Sequence, residues 1–179
     1  MARGILLLFL ATLIAGCASS THVSMSPSEK WIQRQGGECV GDDACRVNRL
    51  ADRLAAMIDR PIRVTVVGRD ELLAFGWPGG RVFVTRGLVR ACSDDELTAV
   101  IGHEMGHLLQ DGHLHTTVSL TGQPNPDREA GADAISVRLL TTAGLPSSSM
   151  RTALMKVAAD QPERSPVREA LRSRIALLP

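Results

Sequence analysis

Charge of neither sign dominates this chain of 179 residues, and no block of basic residues stands out, which argues against a nucleic-acid partner. The 20 basic residues less Arg3, which falls in a leader segment, leave 19 against 19 acidic ones. Lysine is nearly absent: among those 20 basic residues only Lys30 and Lys156 are not arginine, a bias we read as compositional and not as chemistry. There is no CxxC pair, so a cysteine cluster holding metal is not expected. Apart from Cys17 the chain has Cys39, Cys45 and Cys92, an odd number; Cys39 and Cys45 enclose a short stretch and are expected to close a small local loop, leaving Cys92 buried and free. Long hydrophobic runs are also lacking beyond the first one, and there is no internal repeat.

That first run, Gly4 to Ala15, follows the cationic Met1-Ala2-Arg3 and stops at Gly16-Cys17, short of the roughly 20 apolar residues a spanning helix needs. It reads as an export signal. The segment Ile14-Ala15-Gly16-Cys17 resembles a bacterial lipobox, so residues 1–16 are expected to be removed and Cys17 to carry a lipid that is the protein's membrane contact. Ala18 follows the cysteine where Asp would retain the protein at the inner membrane, which predicts the periplasmic face of the outer membrane. Residues 17–41, rich in Ser, Thr, Pro, Gly and Gln, read as the lipidated terminus and a spacer. The remaining residues, 42–179, are long enough for one domain.

Within that domain Val47, Leu50, Leu54, Met57 and Ile58 fall at helical spacing between Asp43 and Asp59, and Pro61 ends the pattern. Ile62–Val67 and Arg81–Thr85 are β-branched runs and are expected to be strands that pair. Ser93 with Glu96 makes a capping box that predicts a helix over Asp94–Gln110. Further helices are expected over Pro126–Ala143, Ser148–Ala159 and Pro166–Leu177, the first closed by Gly144 and Pro146. The class is α+β, mainly helical, with a small sheet beside the Asp94–Gln110 helix.

That helix carries His103-Glu104-Met105-Gly106-His107. Residues four apart on a helix are about 40° off alignment, so the two imidazoles point the same way and can grip one ion. Glu104 stands close enough to take a proton from a water whose pKa zinc has lowered toward about 7, the chemistry of the H-E-x-x-H motif. A third ligand is needed, and two residues compete. Glu129 shares a helix face with Asp133, which can hold a ligand imidazole; His113 stands at the spacing that requires a turning glycine, but Gln110 occupies that place. Helical phase favours Glu129, with His113 and His115 as loop residues. Gly102 and Gly106 leave the helix open to close approach, as a substrate and a neighbouring strand would need.

Ala74-Phe75-Gly76-Trp77-Pro78-Gly79-Gly80-Arg81-Val82-Phe83-Val84, then His103–His107, then Glu129-x-x-Ala132-Asp133 with Ala143-Gly144-Leu145, resembles the HtpX-type and CAAX-prenyl-endopeptidase-type zinc metallopeptidases, from about Leu50 to the C-terminus. The resemblance implies a zincin-like fold of gluzincin type, one Zn2+ held by His103, His107 and Glu129, Glu104 as general base and Asp133 behind a ligand. It further implies an endopeptidase acting on polypeptides, and, with the lipobox, a periplasmic lipoprotein linked to envelope protein quality control. Two positions depart from the family pattern: Leu73 stands for Asn, and Ser165-Pro166 for His-Pro. The alternative function is a zinc-binding chaperone or assembly factor with little cleavage. Arg81, Val82, Phe83, Val84 and Thr85, entered through Pro78-Gly79-Gly80, are expected to offer a free strand edge to the substrate.

Overall fold

The computed structural model describes residues 25–58, 60–77, 79–110 and 125–179. In chain order the elements are α1 (Pro27–Arg34), α2 (Asp42–Ile58), β1 (Arg63–Val67), β2 (Ala74–Trp77), β3 (Arg81–Thr85), α3 (Arg86–Ala91), α4 (Asp94–Gln110), α5 (Pro126–Thr142), α6 (Ser148–Asp160) and α7 (Pro166–Leu177). Mainly helical, with one three-stranded sheet, the chain has the expected α+β class.

Sheet order is β1-β3-β2, with β1 parallel and β2 antiparallel to β3. Val64, Val66, Val82 and Val84, at alternate positions, face a core shared with α2 and α4. On the opposite face Phe83 is fully buried beneath Phe75, Trp77 and Trp31 of α1, with ring centroids 5.1 to 6.0 Å from it. All aromatics of the chain except Phe9 therefore meet in one cluster.

Two expectations are corrected here. The stretch read as spacer contains α1, started by a capping box between Ser26 and Glu29 and pinned by Trp31. Just after it Cys39 donates its N–H to Val66 O and Glu38 bridges to Val67, which covers the outer edge of β1. The folded unit thus reaches back to Pro27. Second, Arg81–Thr85 is the central strand, bonded on both sides, and offers no free edge. Gly79 and Gly80, at φ +86° and +74°, belong to the turn that folds β2 back along β3, so they close a hairpin instead of baring one. Among the described residues the unpaired edge is that of β2.

Helix α4 is central: every residue from Glu96 to Gly106 is buried. Its start is fixed by the expected box, Ser93 N–H donating to Glu96 Oε2 at 2.7 Å and Glu96 N–H to Ser93 Oγ at 3.3 Å. Arg46 of α2 ties that end down, reaching Asp94, Val89 O and Cys92 O at 2.6 to 2.8 Å. Helix α5 lies tightly against the other side of α4. A Cβ on Gly106 would come within 2.9 Å of Ala132 Cα, so only glycine permits this approach. The neighbour that Gly102 and Gly106 admit is therefore a helix, since Gly102 meets Ser136 of the same α5. Strand β2 comes in at Gly76, where a Cβ would stand 3.5 Å from Leu108 and 3.8 Å from Glu104 O, ordinary contact distances.

Cys39, Cys45 and Cys92 are free thiols, so the expected local loop is not closed. Cys39 packs against the main core while Cys45 lies exposed in the first turns of α2. No helix of the described residues is long and apolar enough to cross a membrane.

Candidate metal centre

The close contact of α4 with α5 decides what meets at the centre. Asn125 caps α5, accepting from the backbone N–H of Asp127 and Arg128 at 3.0 and 3.4 Å, and Pro126 sets the first helical residue. Glu129 consequently sits in the first turn, where the helix N-terminus favours a carboxylate, and faces the last two turns of α4. Gln110 secures this meeting from the α4 side by donating its amide to Arg128 O at 3.1 Å and to Gly106 O at 3.4 Å. The position whose lack of glycine counted against a His113 site is thus a staple between the two helices. His113 and His115 lie outside the described residues, as does Cys17.

His103 Nε2 and His107 Nε2 each lie 3.3 Å from one oxygen of Glu129. One donor atom from each of these three side chains falls within 4.8 Å of the others, the only such His, Cys, Asp or Glu group among the described residues. Two imidazoles and a carboxylate, with a side open to a cleft, are the donor set of a catalytic zinc. His103 Nδ1 is 2.8 Å from Asp133 Oδ1, which leaves Nε2 as the nitrogen turned toward the common point. His103, His107 and Glu129 could hold a metal ion, with Asp133 bonded to the His103 ring behind them. Glu104, 8% exposed, lines the same cleft.

One participant was not expected. Arg174, near the end of α7, spreads its guanidinium over both carboxylates, with Nη1 2.7 Å from Glu129 Oε2, Nη2 2.6 Å from Asp133 Oδ1 and Nε 3.0 Å from Asp133 Oδ2. A fork of this kind fits two adjacent acids better than a lysine would. Ser165 caps α7 by accepting from Arg168 N–H at 3.1 Å. Its service is to the helix that delivers Arg174. Leu73 lines the cleft with its side chain 40% exposed, while its backbone is locked to Thr85.

Charge follows from this packing. Burial works against a charged His103, but its hydrogen bond to Asp133, then that to Glu129 and the field of Glu104, outweigh burial and raise its pKa to about 9. Burial likewise opposes ionised Glu129, yet hydrogen bonds from both histidines and the charge of Arg174 hold its carboxyl far below the ordinary range. Asp133 is lowered too, against its own burial, by His103 and Arg174. Both acids are therefore anions at neutral pH. Among the described residues His107 Nδ1 has no partner.

Arg81–Thr85 is absent from the cleft wall; Ala74, Phe75 and Gly76 of β2 are there instead. Arg81 points away to Ser28 of α1, 2.9 Å from its hydroxyl.

Residues 42–126 match the model of peptidase family M48. Over 49 residues the chain is 49% identical to a protease HtpX homolog of Thermoplasma acidophilum, covering 26% of this chain and 16% of that one. It is 34% identical over 92 residues to metalloprotease LoiP of Escherichia coli (strain K12), covering 51% and 36%, and 29% identical over 117 residues to a protease HtpX homolog of Gemmatimonas aurantiaca, covering 61% and 41%. The chain spans less than half the length of these curated relatives. The matched segment holds His103, Glu104 and His107, while Glu129, Asp133 and Arg174 lie beyond it and are placed by geometry alone. The chain is thus similar, over residues 42–126, to peptidase family M48, and in part to proteases named as HtpX homologs and to metalloprotease LoiP.

Proposed function

We propose that this protein is a zinc-dependent endopeptidase that hydrolyses misfolded or misassembled polypeptides of the bacterial cell envelope. One observation carries the reading: His103, His107 and Glu129 converge on a point at the floor of an open cleft whose wall also bears Glu104. Zinc, when bound there, would polarise the scissile carbonyl and acidify the attacking water. Glu104 accepts the proton of that water and passes it to the leaving amine, which must depart protonated. Asp133 holds the His103 ring through Nδ1, and Arg174 holds Glu129 and Asp133 in place as anions.

The substrate main chain lies along the edge of β2 that is unpaired among the described residues, beside Ala74, Phe75 and Gly76, in an extended form. Backbone pairing of this sort recognises unfolded chain with little regard for sequence, which suits a quality-control enzyme. Localisation rests on the leader: Cys17 carries the lipid, and the domain works at the periplasmic face of the outer membrane. Casein cleavage by wild-type protein, abolished by chelator and by Glu104→Gln at unchanged zinc content, is the expected result. Equal and chelator-insensitive background in both proteins overturns it and favours a zinc-binding chaperone.

A further inference from the structure

Alternation along the strands turns Val64, Val66, Val82 and Val84 toward the core, so the outer face of the sheet carries the residues between them. Register then sets Arg63 of β1, Arg81 of β3 and Trp77 of β2 side by side in one row, with Phe83 beside Phe75 in the next. Helix α1 lies across these rows, Trp31 against both phenylalanines and the Ser28 hydroxyl accepting from Arg81 at 2.9 Å. Because Ser28 and Trp31 face the sheet, Lys30 and Arg34, four residues apart and both exposed, are turned outward. Trp31, Phe75 and Trp77 are each half-buried.

The cations of this face lack anions. Arg63 and Arg81 stand opposite each other on strands about 4.8 Å apart, where like charges repel. Among the described residues the side chains of Lys30, Arg34 and Arg63 make no hydrogen bond or ion pair. Glu29, whose charge Arg81 feels, is turned back to accept the Ser26 N–H at 2.6 Å. Asp70 and Glu71, beyond the far end of β1, are taken by Arg86 and Arg69. The fold therefore leaves an excess of positive charge around three half-buried aromatic rings.

We infer that this face is a membrane-contact surface, its tryptophans seated at the headgroup level of a phospholipid bilayer and its arginines and lysine paired with the phosphates of anionic lipid. Tryptophan favours that level because its ring is apolar and its N–H polar, and a guanidinium takes phosphate oxygens in pairs. A second copy of the chain, docked about a twofold axis, would set these same cations against one another, whereas anionic lipid supplies the partners they lack. The contact belongs to the face and does not need the tether proposed at Cys17, although a lipid nine residue steps before the Ser26 cap would deliver this face to the bilayer. Phe75 and Trp77 are on β2, so the edge proposed to receive substrate would stand beside the lipid.

Trp31 and Trp77 are the only tryptophans of the chain, so its emission reports on this face alone. Full-length protein bound to phosphatidylglycerol vesicles should emit further to the blue and lose at least half its emission when the lipid acyl chains are brominated. Bound to phosphatidylcholine vesicles it should be quenched at least 2-fold less. Lys30→Glu with Arg34→Glu, both exposed, should weaken quenching on phosphatidylglycerol at least 2-fold at unchanged melting temperature. Bound protein that brominated chains leave unquenched has this face turned from the bilayer, and protein that binds neither vesicle has no such contact; either result overturns the proposal. Quenching equal on the two lipids, or unmoved by the double variant, removes the phosphate pairing and overturns it too. Emission that shifts with protein concentration before any vesicle is added gives the face to a second copy instead. Cys17→Ser should lower the amount bound but not the quenching of what remains, which keeps failure of the tether apart from failure of the face; quenching lost with Cys17 makes the tether the only contact.

Discussion

At the scale of single residues, the centre divides into groups that touch the metal position and one that acts through them. Arg174 is the latter. Arg174→Ala removes the guanidinium that pairs with both Glu129 and Asp133, and should weaken zinc binding by roughly 10 to 100-fold, the usual cost of removing a partner of a metal ligand. Arg174→Lys should recover little of this, since one ammonium cannot serve two carboxylates as a fork does. Competition against a chromogenic chelator reads both, and wild-type affinity in Arg174→Ala would remove its positioning role. Glycine 106 makes a different demand: Gly106→Ala meets backbone of Ala132 at 2.9 and 3.0 Å, which cannot turn away. Overpacking there should cost about 1 to 3 kcal/mol and lower zinc content as well, because Glu129 rides on the helix that is pushed off. Gly102→Ala, whose nearest neighbour is a Ser136 hydroxyl at 3.2 Å, should cost less in the same melting experiment. Burial first, and then the charge of Glu96, push the Cys92 thiol up to about 11. The thiolate appears only as pH climbs toward that value, so roughly a thousandth is reactive at pH 8. Alkylation of native protein should label the exposed Cys45 and spare Cys92; equal labelling would contradict the packing. His103, Glu104 and His107 were legible because their chemistry repeats at helical spacing, and Glu129 with Asp133 because one helical face joins them. Arg174 was not, being one arginine among many on a helix whose facing partner no local pattern reveals.

Elements show the same division. Helices α2, α4, α5, α6 and α7 and strands β1 and β3 follow from periodicity and caps to within a residue or two of their observed ends. Three short elements do not. Helix α3 has six residues and β2 four, too few for a period to declare itself, and β2 contains a glycine, a residue depleted in strands. Helix α1 was hidden in a Ser/Pro/Gly-rich stretch, although Ser26 and Glu29 spelled out its capping box. Pairing order was beyond reach for another reason: which strand takes the centre depends on where β2 returns, a long-range matter. Trp31 tests whether α1 is part of the fold. Packed on Phe75 at 4.6 Å and Phe83 at 5.1 Å but only partly buried, it should cost about 2 kcal/mol when changed to Ala, below the 3 to 5 typical of fully buried aromatics. Urea denaturation of Trp31→Ala would show it, and an unchanged midpoint would return α1 to the status of a spacer.

On the scale of the whole molecule, α1 also limits how far the protein works from a membrane. If Cys17 carries the lipid, only nine residue steps separate it from the Ser26 cap of α1, a reach of about 30 Å at full extension. Cys17→Ser should move the protein from the membrane fraction to the soluble one without loss of zinc, as detergent-phase partitioning would show. Its proposed substrates are then those that come to the bilayer surface. The wild type remaining soluble and unmodified would remove the tether.

The distance along the chain from His103 to Arg174, 71 residues, has a consequence in time. The residues that would hold zinc can assemble once α4 and α5 dock, but the grip on the carboxylates waits for α7 to be made and folded. A newly made chain is therefore held back from firm metal loading until its other helices have formed, and contacts so distant in sequence are slow to close. In refolding from urea, recovery of helical signal should run ahead of recovery of tight zinc retention, so that the cutting power proposed for the protein would come only after it has ceased to resemble its proposed prey.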